Sequence, residues 1–289
     1  MNTQKILFTI MLLVFVAGTS VAQKEERLKG NKIVMTDLKE IDAFHTLKIE
    51  DNFEVNIQEG SENSVSIKAD SNLQDAILVN VQDSILTIKT DKDIRRAKSL
   101  HLTITYTSIP KHIELRNDVK LSTAGLIDAK KLSLHLYNNA EAFMSVTSNK
   151  FVAYTYGKSS GELHVNAKEI FYQINENSEI KGITTADSLK VDLYQKGFSK
   201  LEGKIDSALI RADNSTNFRG EKLTINMAKL IAEGTSDCYL LVNEVCTIEA
   251  KDSTEVYLLG EPKVNLEVFS GEATLYKKGL NYAPSLLKL

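Results

Sequence analysis

The feature that most restricts this chain is a register of about nineteen residues that holds from Ile113 almost to the C-terminus. Taking Ile113, Leu132, Phe151, Ile170, Leu189, Ala208, Ala228, Cys246 and Val264 as unit starts gives spacings of 19, 19, 19, 19, 19, 20, 18 and 18. Two residues after each start stand Leu115, Leu134, Ala153, Tyr172, Val191, Ile210, Leu230, Ile248 and Leu266, all apolar or aromatic. Four after each start the series is again mostly apolar, with polar residues between, which is the period-two alternation of a strand. Six to eight after the starts come turn formers: Asn138-Asn139, Gly157-Lys158-Ser159, Asn177-Ser178, Gly197, Asn214-Ser215, Gly234-Thr235-Ser236, Asp252-Ser253 and Ser270-Gly271. A second alternating segment follows each turn, as in Cys238-Tyr239-Leu240-Leu241-Val242 and Val256-Tyr257-Leu258-Leu259-Gly260.

One such unit cannot bury its apolar side alone. Stacking units at about 4.8 Å makes a continuous core and pairs every strand with the coil above and below. The spacing therefore predicts an all-β fold, a single-stranded parallel β-helix (β-solenoid) with coils of about 19 residues over 113–279. An antiparallel sandwich also has short strands and frequent turns. It has no reason, however, to keep one register across nine units.

Residues 41–110 alternate as well, less regularly, in His45-Thr46-Leu47-Lys48-Ile49, Phe53-Glu54-Val55-Asn56-Ile57, Val65-Ser66-Ile67-Lys68-Ala69, Ile77–Val81, Ile85–Ile88 and Leu100–Tyr106. They are expected to form wider N-terminal coils and to close that end of the core, since an uncapped solenoid exposes unpaired edges. Residues 23–40 read as an N-terminal extension. Residues 280–289, with Pro284 and three more Leu after Leu280, read as a cap at the other end.

The opening Phe44-x-x-Leu47-x-Ile49-x-x-x-Phe53-x-Val55-x-Ile57-x-Glu59-Gly60, then Val65-x-Ile67-x-Ala69-Asp70, Leu86-x-Ile88 and the Asn- and Gly-punctuated coils resemble the bacterial head GIN domain family of auto-transporter adhesins. The resemblance covers about Ile41 to Gly279 and rests on hydrophobic pattern. It implies a β-helix similar to pectin-lyase-type solenoids and supplies no catalytic residues to carry over. A literal Gly-Ile-Asn triplet is absent, the nearest being Gly182-Ile183-Thr184. An auto-transporter proper carries a C-terminal membrane barrel built of roughly ten-residue alternating segments. Too few residues follow Gly279 to supply one, so display through a self-encoded barrel is not expected.

Lys5, the apolar run Ile6–Ala17 and the small residues around Ser20-Val21-Ala22 have the layout of a cleaved export signal over residues 1–22. The run is shorter than the roughly 20 apolar residues a bilayer span needs. The expected location is thus the periplasm, cell surface or exterior, with no membrane span after cleavage. A formal net charge of −3, with both signs interspersed, offers no electrostatic footprint for nucleic acid. Cys238 and Cys246 fall at inward positions of adjacent coils and read either as buried small hydrophobes or as a disulfide.

Parallel β-helices often cleave acidic polysaccharides, which demands clustered carboxylates with a basic residue beside them. In this register Arg116, His135, Tyr154, Gln173, Asp192 and Arg211 stack outward. They offer one carboxylate beside one Arg, the pattern of an ion pair on a sheet surface. Glu202 and Glu221 stack beside Lys200 and Arg219, again as a solvated face. The five His residues show no zinc spacing, and no phosphate loop, nucleophile elbow or dinucleotide fingerprint occurs. No cofactor, metal or catalytic residue is expected.

A binding face has better residues. Tyr137, Tyr154, Tyr156, Phe171 and Tyr194 all point outward on one sheet, beside His135, Gln173 and Asp192. Aromatic rings flanked by amide and carboxylate groups suit a glycan or a protein surface, because a tyrosine offers an apolar face and a hydroxyl tip. The alternative is that the rings only stabilise cross-strand packing. The chain is accordingly read as a non-enzymatic binding or adhesion module of the cell envelope, expected to recognise a glycan or a surface protein. A polysaccharide lyase or hydrolase and a purely structural envelope protein are the competing readings.

Overall fold

A computed structural model describes residues 26–281; the expected leader at 1–22 and residues 282–289 of the expected cap lie outside that range. In chain order the N-terminal strands are β1 (Arg27–Lys29), β2 (Val34–Glu40), β3 (Thr46–Ile49), β4 (Glu54–Glu59), β5 (Ser64–Asp70), β6 (Ile77–Gln82), β7 (Ile85–Thr90), β8 (Asp93–Arg95) and β9 (Leu100–Tyr106). There follow β10 (His112–Leu115), β11 (Lys120–Leu136), β12 (Glu141–Thr155), β13 (Ser160–Ile174), β14 (Glu179–Leu193) and β15 (Phe198–Ala212). The last are β16 (Asn217–Ala232), β17 (Asp237–Ala250), β18 (Glu255–Leu259), β19 (Lys263–Phe269) and β20 (Thr274–Lys277). From β10 on every pairing is parallel, each coil lying on the next in a solenoid of about nine turns.

Leu132 pairs in succession with Phe151, Ile170, Leu189, Ala208, Ala228, Cys246 and Val264, the column that the spacing predicts. Two places later Leu134, Ala153, Tyr172, Val191, Ile210, Leu230 and Ile248 form an inward column whose members are all fully buried. Alternation breaks once per coil at two adjacent exposed residues, such as Asn149-Lys150 and Lys168-Glu169. There the chain turns a corner, and the inward phase resumes on the next side.

The first step departs from the expected register. Ile113 pairs with Leu134, not Leu132, so this coil is 21 residues long. The surplus sits in β11, where the offset to β12 changes from 21 at Ser122 to 19 at Leu126. A bulge absorbs it. The consequence is a two-residue shift of every outward residue on β10. A second irregularity between Lys200 and Glu202 corrects the other stacked pair: Glu202 faces Lys222, at 3.3 Å, while Glu221 bonds Arg219 at 3.2 Å.

The tight turns fall into one column of left-handed residues: Asp51, Asn117, Asn138, Gly157, Glu176, Gln195, Asn214, Gly234, Asp252 and Gly271. The fourth and fifth regular coils depart from the expected turn residues, because Glu176 and Gln195 hold the left-handed position rather than Asn177 or Gly197. A side chain there costs about 1–2 kcal/mol. Gln195→Gly is therefore expected to raise stability by about 0.5–1 kcal/mol, net of the entropy a glycine loses on folding. Lys196→Gly, one place on, should give no such gain in the urea midpoint.

The N-terminal end is closed by mixed pairing. β3 lies parallel between β7 and β10, and β4 parallel between β9 and β11. β5 runs antiparallel to both β2 and β9, and β6 antiparallel to β7. Residues 41–110 therefore contribute β3, β4, β7 and β9 to the stacked coils, their antiparallel strands β5 and β6 continue the two sheets beyond, and the turn between those strands buries Leu73 and Ala76. Buried Asp70 ties this cap down. Its Oδ2 accepts from the Lys32 N–H at 2.8 Å, and its Oδ1 from those of Lys98 at 2.9 Å and Ser99 at 3.2 Å. Burial opposes the charge, yet these donors hold the carboxyl below its usual range. Cys238 and Cys246 are both buried and free; burial pushes the Cys246 thiol up to about 12.

Candidate binding face

The outward residues of the short strands after each corner make three adjacent columns. The first runs His112, Ser133, Val152, Phe171, Lys190 and the second Glu114, His135, Tyr154, Gln173, Asp192, Arg211. The third, at the start of the turns, runs Arg116, Tyr137, Tyr156, Asn175, Tyr194, each held by its N–H to a carbonyl of the preceding coil. Because adjacent rungs are one hydrogen-bonded step apart, residues nineteen apart become side-chain neighbours.

Aromatic groups fill one contiguous patch of this grid. Tyr137 and Tyr156 stack at 5.1 Å with their planes 5° apart, while His135 lies 4.7 Å from Tyr154 and 4.5 Å from His112. Tyr154 meets Phe171 edge-on at 5.6 Å. Cations close both sides, with the Arg116 guanidinium 4.3 Å over the Tyr137 ring and Lys190 4.5 Å over Phe171. Arg116 and His112 reach the patch only because of the two-residue shift on β10.

Of the residues expected on this face, His135, Tyr137, Tyr154, Tyr156 and Phe171 come together. Tyr194 stands two rungs from Tyr156 with Asn175 between them. Gln173 continues the Tyr154 column and donates to Asn175 at 3.2 Å. Asp192 is 4% exposed, so its ion pair is not the open surface pair expected. Lys190 approaches it at 2.7 Å and Arg211 at 3.5 Å. The rings themselves are half-buried, their edges covered by one another.

Electrostatics at the patch follow from that cover. Burial, and then the neighbouring His112 ring, hold the His135 imidazole down to about 4. His112 is lowered too, chiefly by burial, with Glu114 opposing. Glu114 is itself held below the usual carboxylate range, against the effect of burial, by the 2.7 Å bond from Arg116. A histidine whose folded value lies below its unfolded one leaves the unfolded chain to take up the proton first as pH falls. Its contribution to stability is thus complete above about pH 6.5 and drains away toward pH 4, by at most about 2 kcal/mol after allowing for partial exposure. Urea midpoints measured between pH 7.5 and 5 should fall, and His135→Gln should flatten that fall.

A second stack escaped the sequence reading. Tyr239, Tyr257 and Tyr276 lie over one another at 4.3 and 4.9 Å, with Arg219 4.6 Å over the first ring. Its signal was present, since the three tyrosines recur at spacings of 18 and 19 in the segment after each turn. Tyr239 and Tyr257 are buried, so this stack is packed rather than open.

Residues 43–262 match the model of the family described as "Putative auto-transporter adhesin, head GIN domain", which covers most of the chain. No curated protein sequence matches. Among solved structures, an adhesin of Parabacteroides merdae, named as putative, superposes with a TM-score of 0.68 at 15% identity, over 88% of this chain and 99% of that one. A putative lipid binding protein of Parabacteroides distasonis gives 0.62 at 14% identity, over 88% and 100%. A putative adhesin of the same species gives 0.61 at 12%, over 88% and 98%. At these identities the likeness is one of fold.

Proposed function

The chain belongs to the head GIN domain family of auto-transporter adhesins, and from that premise we propose that it is an exported, non-enzymatic adhesion module whose aromatic face takes glycan. The observation that carries this reading is the contiguous patch of His135, Tyr137, Tyr154, Tyr156 and Phe171, whose rings share one face with the carboxamide of Gln173. A sugar ring stacks its C–H face on tyrosine and bonds its hydroxyls to a neighbouring carboxamide. The expected location is the cell envelope or surface. Among the described residues no helix is long and apolar enough to cross a membrane.

The test is a broad glycan array probed with the folded protein and with the combined Tyr137→Ala, Tyr154→Ala and Tyr156→Ala variant. Saturable binding that falls at least about tenfold in the variant is expected, a loss of roughly 1.4 kcal/mol or more. Equal binding by both proteins would remove the face from the reading, and no binding by either would favour a protein partner or a structural role. One neighbour of this fold is named for lipid binding, so anionic vesicles form a second arm. Release of reducing ends or unsaturated products from acidic polysaccharides would turn the reading toward an enzyme.

A further inference from the structure

The solenoid's two ends are finished differently. Among the described residues β2, the outermost strand at the N-terminal end, also pairs on one edge only, but it sets Asp37 and Lys39 beside buried Ile67 and Val65, and Leu73 and Ala76 are buried in the turn after β5; β19 pairs only with β17 and β20 only with β18. The inward column makes the contrast quantitative. Cys246, Ile248 and Ala250 are fully buried, but Val264, Leu266 and Phe269, stacked on them in the last coil, are 38%, 51% and 41% exposed. An unpaired edge backed by open core is a template for another strand.

We propose that this edge docks a second copy of the chain, β19 against β19, antiparallel and centred on Asn265. The sequence of the edge is self-complementary in that register. Antiparallel pairing about Asn265 sets Val264 opposite Leu266 of the partner subunit, and Lys263 opposite the bulge that Glu267 and Val268 of the partner subunit form together, twice by symmetry. The two-fold axis of an antiparallel pair stands normal to the sheet, so the inward faces of both copies remain on one side. The apolar ends of the two cores then close on each other. A register shifted by two residues in either direction loses the Lys263–Glu267 match, so the charges select a single alignment. Glu267 already receives Lys229 at 2.9 Å from within its own chain, and a facing Lys263 completes the neutralisation. Being isologous, the contact closes at two copies and does not propagate into a fibre.

Light scattering coupled to size exclusion, on the full chain expressed so that the cell removes any leader, tests this. The expected result is a mass of two chains. Leu266→Lys, at a half-exposed position, should return the mass of one chain with an unchanged circular dichroism spectrum and melting temperature at low concentration. Lys263→Glu alone should weaken the dimer, and more so at low than at high salt. A wild-type monomer at every soluble concentration overturns the proposal. So does a dimer indifferent to Leu266→Lys, or one that forms only after truncation behind Asn281, since that would make the chain's own last residues the occupant.

Discussion

Gly182→Ala is expected to cost the fold about 4 kcal/mol or more, enough to unfold a marginally stable domain. Gly182 sits at φ 142°, a conformation side chains rarely adopt, and a Cβ built there falls 1.9 Å from the Leu163 carbonyl oxygen. That oxygen belongs to the backbone of the preceding coil. Relief therefore requires parting two rungs that the pairs Glu162–Lys181 and Val165–Thr184 hold together on either side of the site, a change no rotamer can replace. The column around the site runs Leu163, Gly182, Leu201 on successive coils, so the glycine lets the backbone dip between two large side chains. Gly125→Ala is the control, because nothing lies within 4 Å of its added Cβ. Urea unfolding should show a large drop in midpoint for the first variant and almost none for the second. Comparable midpoints for the two would mean that the coils slide apart at little cost and that the stacking register is loosely held.

The second large effect is expected at Tyr172, which is fully buried in the inward column between Ala153 and Val191. Its ring fills the room left by Ala153 and meets Phe151 edge-on at 6.2 Å. Tyr172→Ala would place two small residues on successive rungs. Because hydrogen-bonded coils cannot collapse toward each other, the void stays open, and the loss should be about 3–5 kcal/mol. Tyr172→Phe separates packing from polarity. The hydroxyl lies 3.5 Å from Thr184 Oγ1, at the outer limit of a bond, so its removal should change stability by less than about 1 kcal/mol. Calorimetric unfolding of both variants decides the matter. A large loss in the Phe variant would make the hydroxyl the stabilising group.

Much of the candidate face was legible before any coordinates, for a physical reason. A parallel solenoid pairs each residue with the one nineteen places on, so a column can be read by counting wherever the count is constant. Tyr137 with Tyr156, and Tyr154 with Phe171 one column over, follow directly. Where a bulge changes the count, reading fails by the size of the bulge. At Thr123–Gly125 two surplus residues displace β10, and only the folded chain brings His112 beside His135 and Arg116 over Tyr137. Asp192 shows another limit: counting places it next to Arg211, but its burial depends on how Lys190 and the flanking rungs close over it.

The sequence by itself determined that this chain coils in parallel rungs, because an apolar alternation repeated at one period across nine units can satisfy its edges and bury its stripes only by stacking on itself. It also determined which residues face outward together along the constant-register coils. The tertiary structure alone decided which turn residue takes the left-handed conformation, since Glu176 and Gln195 adopt it against their own preference, in one column with the turns of the other coils. It decided that Gly182 must be a glycine, because the atom excluding a side chain belongs to another coil. And it decided that, among the described residues, one end of the core finishes on antiparallel strands while the apolar residues of β19 are left partly exposed. Local alternation is the same in a strand paired on two edges as in one paired on one, and only the assembled stack distinguishes them.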